Sequence, residues 1–124
     1  MSDELRARNE AIVRRFLAAG SASDERRALW AEDAVFELPL QGKVFRGREA
    51  ILERGRHAKQ LYKDWHLTDL VVHPMLDPNL FLVTHGSEEI VVATGEAETN
   101  SYASILELRD GRIIRRVEYH RAMD

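Results

Sequence analysis

Cysteine is absent from this chain of 124 residues. Its absence excludes disulfides, thiolate zinc sites and cysteine nucleophiles, and is compatible with a reducing compartment. Charge of one sign is also scarce. Lys and Arg number 18 against 21 Asp and Glu, and a formal net charge of −3 is too small a field to recruit nucleic acid or an anionic membrane. The expected partner is a small molecule or another protein. No apolar run approaches membrane-spanning length, and Met1-Ser-Asp-Glu-Leu-Arg-Ala-Arg8 carries acids where a secretory signal needs an apolar segment. The expected location is cytoplasmic. His66 and His73 are odd-spaced on one strand, and no His-Glu-x-x-His or comparable cluster occurs, so no metal is expected. Gly47-Arg-Glu49 lacks the repeated glycines of a phosphate loop, which removes nucleotide binding.

What is present is a pattern of elements. A hydrophobic content of 44% over this length suits one core, and no repeat or linker is visible, so residues 1–124 read as a single domain. Leu5, Ile12, Val13, Phe16 and Leu17 recur at helical spacing from Asp3 to Ala19, and Gly20 stops that helix. Ser23 caps a second, short helix running to Trp30. Val35–Leu38 and Lys43–Arg46 read as short strands, followed by a third helix from Arg48 to Tyr62. Gly55 within it permits close approach of another element or a ligand, or is a tolerated defect in an exposed turn.

From Trp65 onward the pattern is β. Trp65–His73 turns at Asp77-Pro-Asn79 into Leu80–Thr84, and Gly86 suits a bulge or bend within one long strand continuing through Glu89–Val92. After a turn at Gly95, Ser101–Leu108 leads through Asp110-Gly111 into the last strand, which runs to Arg121. Helices first and a meander last predict an α+β fold, a curved antiparallel sheet wrapped around N-terminal helices.

The last strand carries the candidate chemistry. Alternation places Ile114, Arg116, Glu118 and His120 on one face and Ile113, Arg115, Val117 and Tyr119 on the other. An acid, an imidazole and a guanidinium in one row can move protons and hold an anion if that row faces a cavity. Arg116 favours an ionised Glu118, which then acts as a base or anchors Arg116 against a substrate anion. Arg54 is a second candidate for binding a carboxylate or enolate, and His57, His85 and His120 are candidate proton carriers. Glu88, Glu89, Glu96 and Glu98 read as solvated edges, and Phe16, Trp30, Phe36, Trp65, Tyr102 and Tyr119 supply aromatic surface, most of it for the core.

The order of elements, with Leu29-Trp-Ala-Glu-Asp-Ala-Val-Phe36, Phe45-Arg-Gly-Arg-Glu49 and Gly111-Arg-Ile113 to Glu118-Tyr119, resembles the SnoaL-like branch of the nuclear-transport-factor-2-like superfamily. Asp64-Trp65, Asp77-Pro-Asn-Leu-Phe81, Asn100 and Leu106-Glu-Leu-Arg-Asp-Gly-Arg-Ile113 look most like its phenazine-biosynthesis A/B proteins. The resemblance spans nearly the whole chain. It implies a cone-shaped barrel, open at one end, with a largely apolar pocket between sheet and helices, and homodimers formed by sheet packing. It also implies cofactor-free acid/base chemistry on ring carbonyls or carboxylates, as in polyketide cyclases, ketosteroid isomerases and dehydratases. Glu118 stands where the phenazine proteins carry their glutamate; Arg54 stands at the position of their histidine, with His57 nearly one turn further on, and Ala58 at that of their serine. By the same resemblance Trp30 and Tyr102 line the pocket. Two readings follow: an isomerase, cyclase or dehydratase acting through Glu118, with His57 or His120 as partner, and a non-catalytic ligand-binding or dimerisation module.

Overall fold

The computed structural model describes residues 2–120 of the chain, so Arg121 lies outside the described residues. The elements are α1 (Ser2–Ala18), α2 (Asp24–Leu29), β1 (Trp30–Leu38), a 3-10 turn (Pro39–Gln41), β2 (Lys43–Arg46), α3 (Arg48–Leu61), β3 (Tyr62–Pro74), β4 (Leu80–Val91), β5 (Ala97–Arg109) and β6 (Arg112–His120). Ser23 caps α2 as its side chain predicts, its hydroxyl accepting from the Arg26 amide at 3.1 Å. β1 begins at Trp30, five residues earlier than the sequence pattern indicates.

The six strands form one curved, unclosed sheet in the order β2-β1-β6-β5-β4-β3. Strands β3 to β6 are the expected antiparallel meander. β1 then joins β6 in parallel, a pairing between the two ends of the chain that local pattern does not encode. Asp110 and Gly111 both take positive φ, 52° and 78°, as a two-residue hairpin turn between twisted strands requires. β4 runs unbroken through Gly86; the irregularities expected there lie instead on its partner β3, between Lys63 and His66 and between Thr68 and Val71, where Asp64 and Asp69 take positive φ. Gly55 is the close-approach glycine: a Cβ on it would stand 2.7 Å from the Ser21 carbonyl oxygen in the loop after α1.

A further bulge, on β6 itself, sets the phase of that strand. Leu108 pairs with Ile113 but Glu107 pairs with Arg115, so Ile114 is the extra residue. Ile113, fully buried, thus shares the inner face with Arg116, Glu118 and His120, while Ile114 is only half-buried. The face assignment from simple alternation is therefore corrected at Ile113 and Ile114 and holds from Arg116 onward.

Core and cavity divide the inner face lengthwise. Inward residues change from apolar to polar partway along β4, β5 and β6: Phe81 and Val83 give way to His85, Ser87 and Glu89 on β4. Leu108 and Leu106 give way to Ser104, Tyr102 and Asn100 on β5, and Ile113 to Arg116, Glu118 and His120 on β6. Because Phe81 faces Leu106 and Leu106 faces Arg116, while Val83 faces Ser104 and Ser104 faces Glu118, the change comes one inward position earlier on each strand from β4 to β6, and the boundary runs diagonally across the sheet. The apolar half packs on Val13, Phe16 and Leu17 of α1 and Ile51 and Leu52 of α3. The polar half is left open.

Candidate functional site

The open half is a cavity of about 1020 Å³ between the sheet and α3, lined by His85, Glu89, Asn100, Tyr102, Arg116, Glu118 and His120 from the sheet and by Arg26, Arg54 and His57 from the helices. Its centre is Glu118. Arg116 Nη2 lies 2.7 Å from Glu118 Oε1, and His120 Nδ1 lies 2.9 Å from Oε2 without an aligned N–H direction. Burial acts on this carboxyl most strongly and pushes its pKa up; Arg116, His120 and Arg54 together outweigh it and bring the group from 4.5 to about 2. Glu118 is therefore ionised across the physiological range.

Three guanidiniums surround that one carboxylate. Arg116 is buried beside the rings of Phe16 and Phe36, and burial lowers its pKa, with Glu118 opposing and Arg54 adding to the fall. Arg54 sits over the Phe36 ring at 5.3 Å. Arg26 donates from Nε and Nη2 to the Phe16 carbonyl at 3.1 and 2.9 Å, closing one of the free carbonyls in the last turn of α1. Burial first and Arg116 second draw Arg26 down to about 9, so it too is charged at neutral pH.

Across the sheet from Glu118, three rings form one row. His85 pairs with Tyr102 and Tyr102 with His120 in register, their ring centroids 4.6 and 5.0 Å apart. Burial lowers the His85 pKa and raises that of Tyr102. The Tyr102 hydroxyl lies 2.9 Å from Ser87 Oγ, which in turn donates to Glu89 Oε1 at 3.0 Å.

The structure thus brings Glu118, His120, Arg116, Arg54, Tyr102 and His85 to one cavity. His57 lines the same cavity but is exposed on α3, at its rim. Trp30 departs from the expectation of pocket lining: it is 1% exposed and packs between Phe16 and Phe36 at 5.0 and 6.1 Å, because as the first residue of β1 it faces α1 in the apolar half. Trp65 and Tyr119, expected among the core aromatics, are each 42% exposed, and Trp65 lines the cavity. Two cavity residues escape sequence reading. Glu89 belongs to a pair of glutamates read as solvated, yet it is 5% exposed, and Asn100 donates to it at 3.1 Å. Period-two alternation from Phe81 through Val83, His85 and Ser87 was the signal for Glu89. Arg26 gave no signal, since its place in the first turn of α2 leaves its side-chain direction to packing.

No described helix is long and apolar enough to cross a membrane. Among the described residues, no three His, Asp or Glu side chains converge as a metal cage.

The model of the SnoaL-like domain matches residues 10–116. The uncharacterized protein YesE of Bacillus subtilis is 32% identical over 116 residues, 86% of this chain and 77% of YesE. The crystal structure of a phenazine biosynthesis-related protein of Pseudomonas aeruginosa superposes with a TM-score of 0.84 at 26% identity, covering 97% of this chain and 83% of that one. A candidate isomerase of Bacillus subtilis superposes with a TM-score of 0.81 at 28% identity, covering 93% and 87%. With a curved sheet wrapped on helices, a polar cavity at its open end and a match over most of its length, the chain belongs to the SnoaL-like domain family and has the nuclear-transport-factor-2-like fold.

Proposed function

We propose that the cavity binds a partly apolar ring compound bearing a carboxylate or an enolisable carbonyl, and that the Glu118–His120 pair moves a proton on it without a cofactor, in an isomerisation, cyclisation or dehydration. The observation that carries this reading is the buried Arg116–Glu118–His120 row on the cavity wall. Three guanidiniums against Glu118 leave a positive surplus that a ligand anion neutralises, and a planar fork suits a carboxylate. A carboxylate held near pKa 2 is a weak base, so in this proposal Glu118 orients and charges the pair. The imidazole of His120 exchanges the proton, the role to which that side chain is suited at neutral pH. Likeness to a phenazine biosynthesis-related protein and a candidate isomerase supports the same class of chemistry.

The test is hydrogen exchange. 3-Oxocyclohexane carboxylate in D2O should lose protons next to its carbonyl faster with the protein than in buffer. His120→Gln and Glu118→Gln should each abolish the gain. Binding of the compound with no exchange above buffer in the wild type would leave the non-catalytic binding module as the better account.

We further propose a homodimer packed through the outer face of the sheet. Val71, Thr84, Ala103 and Tyr119 form one outward row across β3 to β6, and His73, Leu82, Ile105 and Val117 the next, with Val71, His73, Ile105 and Tyr119 exposed and the apolar members concentrated on β4 to β6. Such an apolar stripe suits a symmetric partner.

A further inference from the structure

We infer that the β4 wall of the cavity, built on His85 and Glu89, recognises a hydrogen-bond donor, an amine or a hydroxyl, that the ligand carries on the side away from its anionic group. The anionic end rests on the reading above; the donor end rests on where the protons of this wall must lie. His85 Nδ1 is 3.0 Å from the Gly86 carbonyl oxygen. A carbonyl oxygen only accepts, so Nδ1 carries the hydrogen and the neutral ring presents Nε2 as a bare lone pair. Burial lowers the His85 pKa, the Gly86 carbonyl opposes it and Arg116 adds to the fall, which favours the neutral ring. His85 is 7% exposed and lines the cavity, and its Nε2 is buried without a partner among the described residues. Buried acceptors in native proteins are rarely left so.

Tyr102, the neighbour with a hydroxyl to offer, has its proton committed elsewhere. Ser87 uses its one hydrogen on Glu89 Oε1 at 3.0 Å, so its contact with Tyr102 at 2.9 Å is satisfied only if the phenol donates. Asn100 donates to the same Glu89 oxygen at 3.1 Å, whereas Oε2 has only a 3.5 Å contact with Ser87. His85 Nε2 and Glu89 Oε2 therefore make this wall an acceptor surface. Arg116 stands on the same inner face two strands over on β6. The pairing of Phe81 with Leu106 and of Leu106 with Arg116 sets it four residues along the strands from His85, so at about 15 Å between Cα atoms it makes the diagonally opposite end of the cavity a donor surface. A ring set between them is read for polarity at both ends, and a carbonyl in place of the donor would meet lone pairs.

Two measurements test this. Long-range proton–nitrogen spectra of the wild-type protein near neutral pH should show His85 protonated on Nδ1 and not on Nε2; the opposite tautomer overturns the inference whether or not any ligand binds. Calorimetric titration with benzoates bearing an aminomethyl, hydroxyl, methyl or aldehyde group in the meta or para position should show the amine or the hydroxyl binding about tenfold more tightly than the methyl compound, and the aldehyde no better than it. A preference for the amine alone would assign the wall to cations through Glu89, and one shared by the hydroxyl would assign it to neutral donors through His85. His85→Phe, which keeps the ring stack on Tyr102, should erase a shared preference, so that the hydroxyl and methyl compounds bind alike, and Glu89→Gln should erase one confined to the amine. Equal affinities across the series, or a preference untouched by both variants, would sink the donor wall. If no benzoate binds at all, the anion reading fails and the tautomer still decides the donor wall.

Discussion

Arg116 and Glu118, two residues apart on β6, form an ion pair of 2.7 Å with each side chain only 6% exposed. Two desolvated charges so placed hold one another in place, and removing either leaves the other buried without compensation.

Stability should therefore fall in acid through this carboxyl. Burial pushes the group up, but Arg116, His120 and Arg54 take it from 4.5 to about 2 in the fold. A depressed folded pKa gives stabilisation that is complete above pH 4.5 and is lost as pH falls towards 2. Urea midpoints across that interval should drop in the wild type. Glu118→Gln should cost about 3 kcal/mol at neutral pH and show a flatter acid profile. An equally steep profile in the variant would assign the acid loss to other carboxylates.

Arg54 has a different signature, because it is only half-buried and faces the cavity from α3. Arg54→Gln should leave thermal stability within about 0.5 kcal/mol of wild type. Benzoate affinity should weaken about fivefold and become less sensitive to salt. Unchanged affinity in a calorimetric titration would remove Arg54 from the anion site.

Gly55→Ala should destabilise even though alanine is favoured in helices by about 1 kcal/mol. The new methyl carbon would stand 2.7 Å from backbone at Ser21, and overpacking of this kind costs about 1–3 kcal/mol. A net loss of about 1 kcal/mol in chemical denaturation is expected; a gain would mean that the loop after α1 yields freely.

Tyr119→Asp and Ile105→Asp place charge on the outer apolar stripe of the sheet without touching the cavity face. Each should convert a dimer to a monomer in sedimentation at micromolar concentration. A monomeric wild type would remove the proposed interface.

Local chemistry determined much of this protein. Helical spacing in α1, the Ser23 cap, the Asp110-Gly111 turn and period-two alternation after Arg115 are properties of neighbouring residues, and neighbours alone specify them. They were enough to join Arg116, Glu118 and His120 on one face. The tertiary structure decided the rest. The Ile114 bulge shifts the apolar start of β6 by one position, and no residue type there announces it. Trp30 went to the core and Glu89 to the cavity because of where the inner face changes from packed to open, which is fixed by how far α1 and α3 reach along the sheet. Arg26 joined the site because its long side chain folds back to a carbonyl ten residues earlier, and a charge of that reach takes its direction from packing.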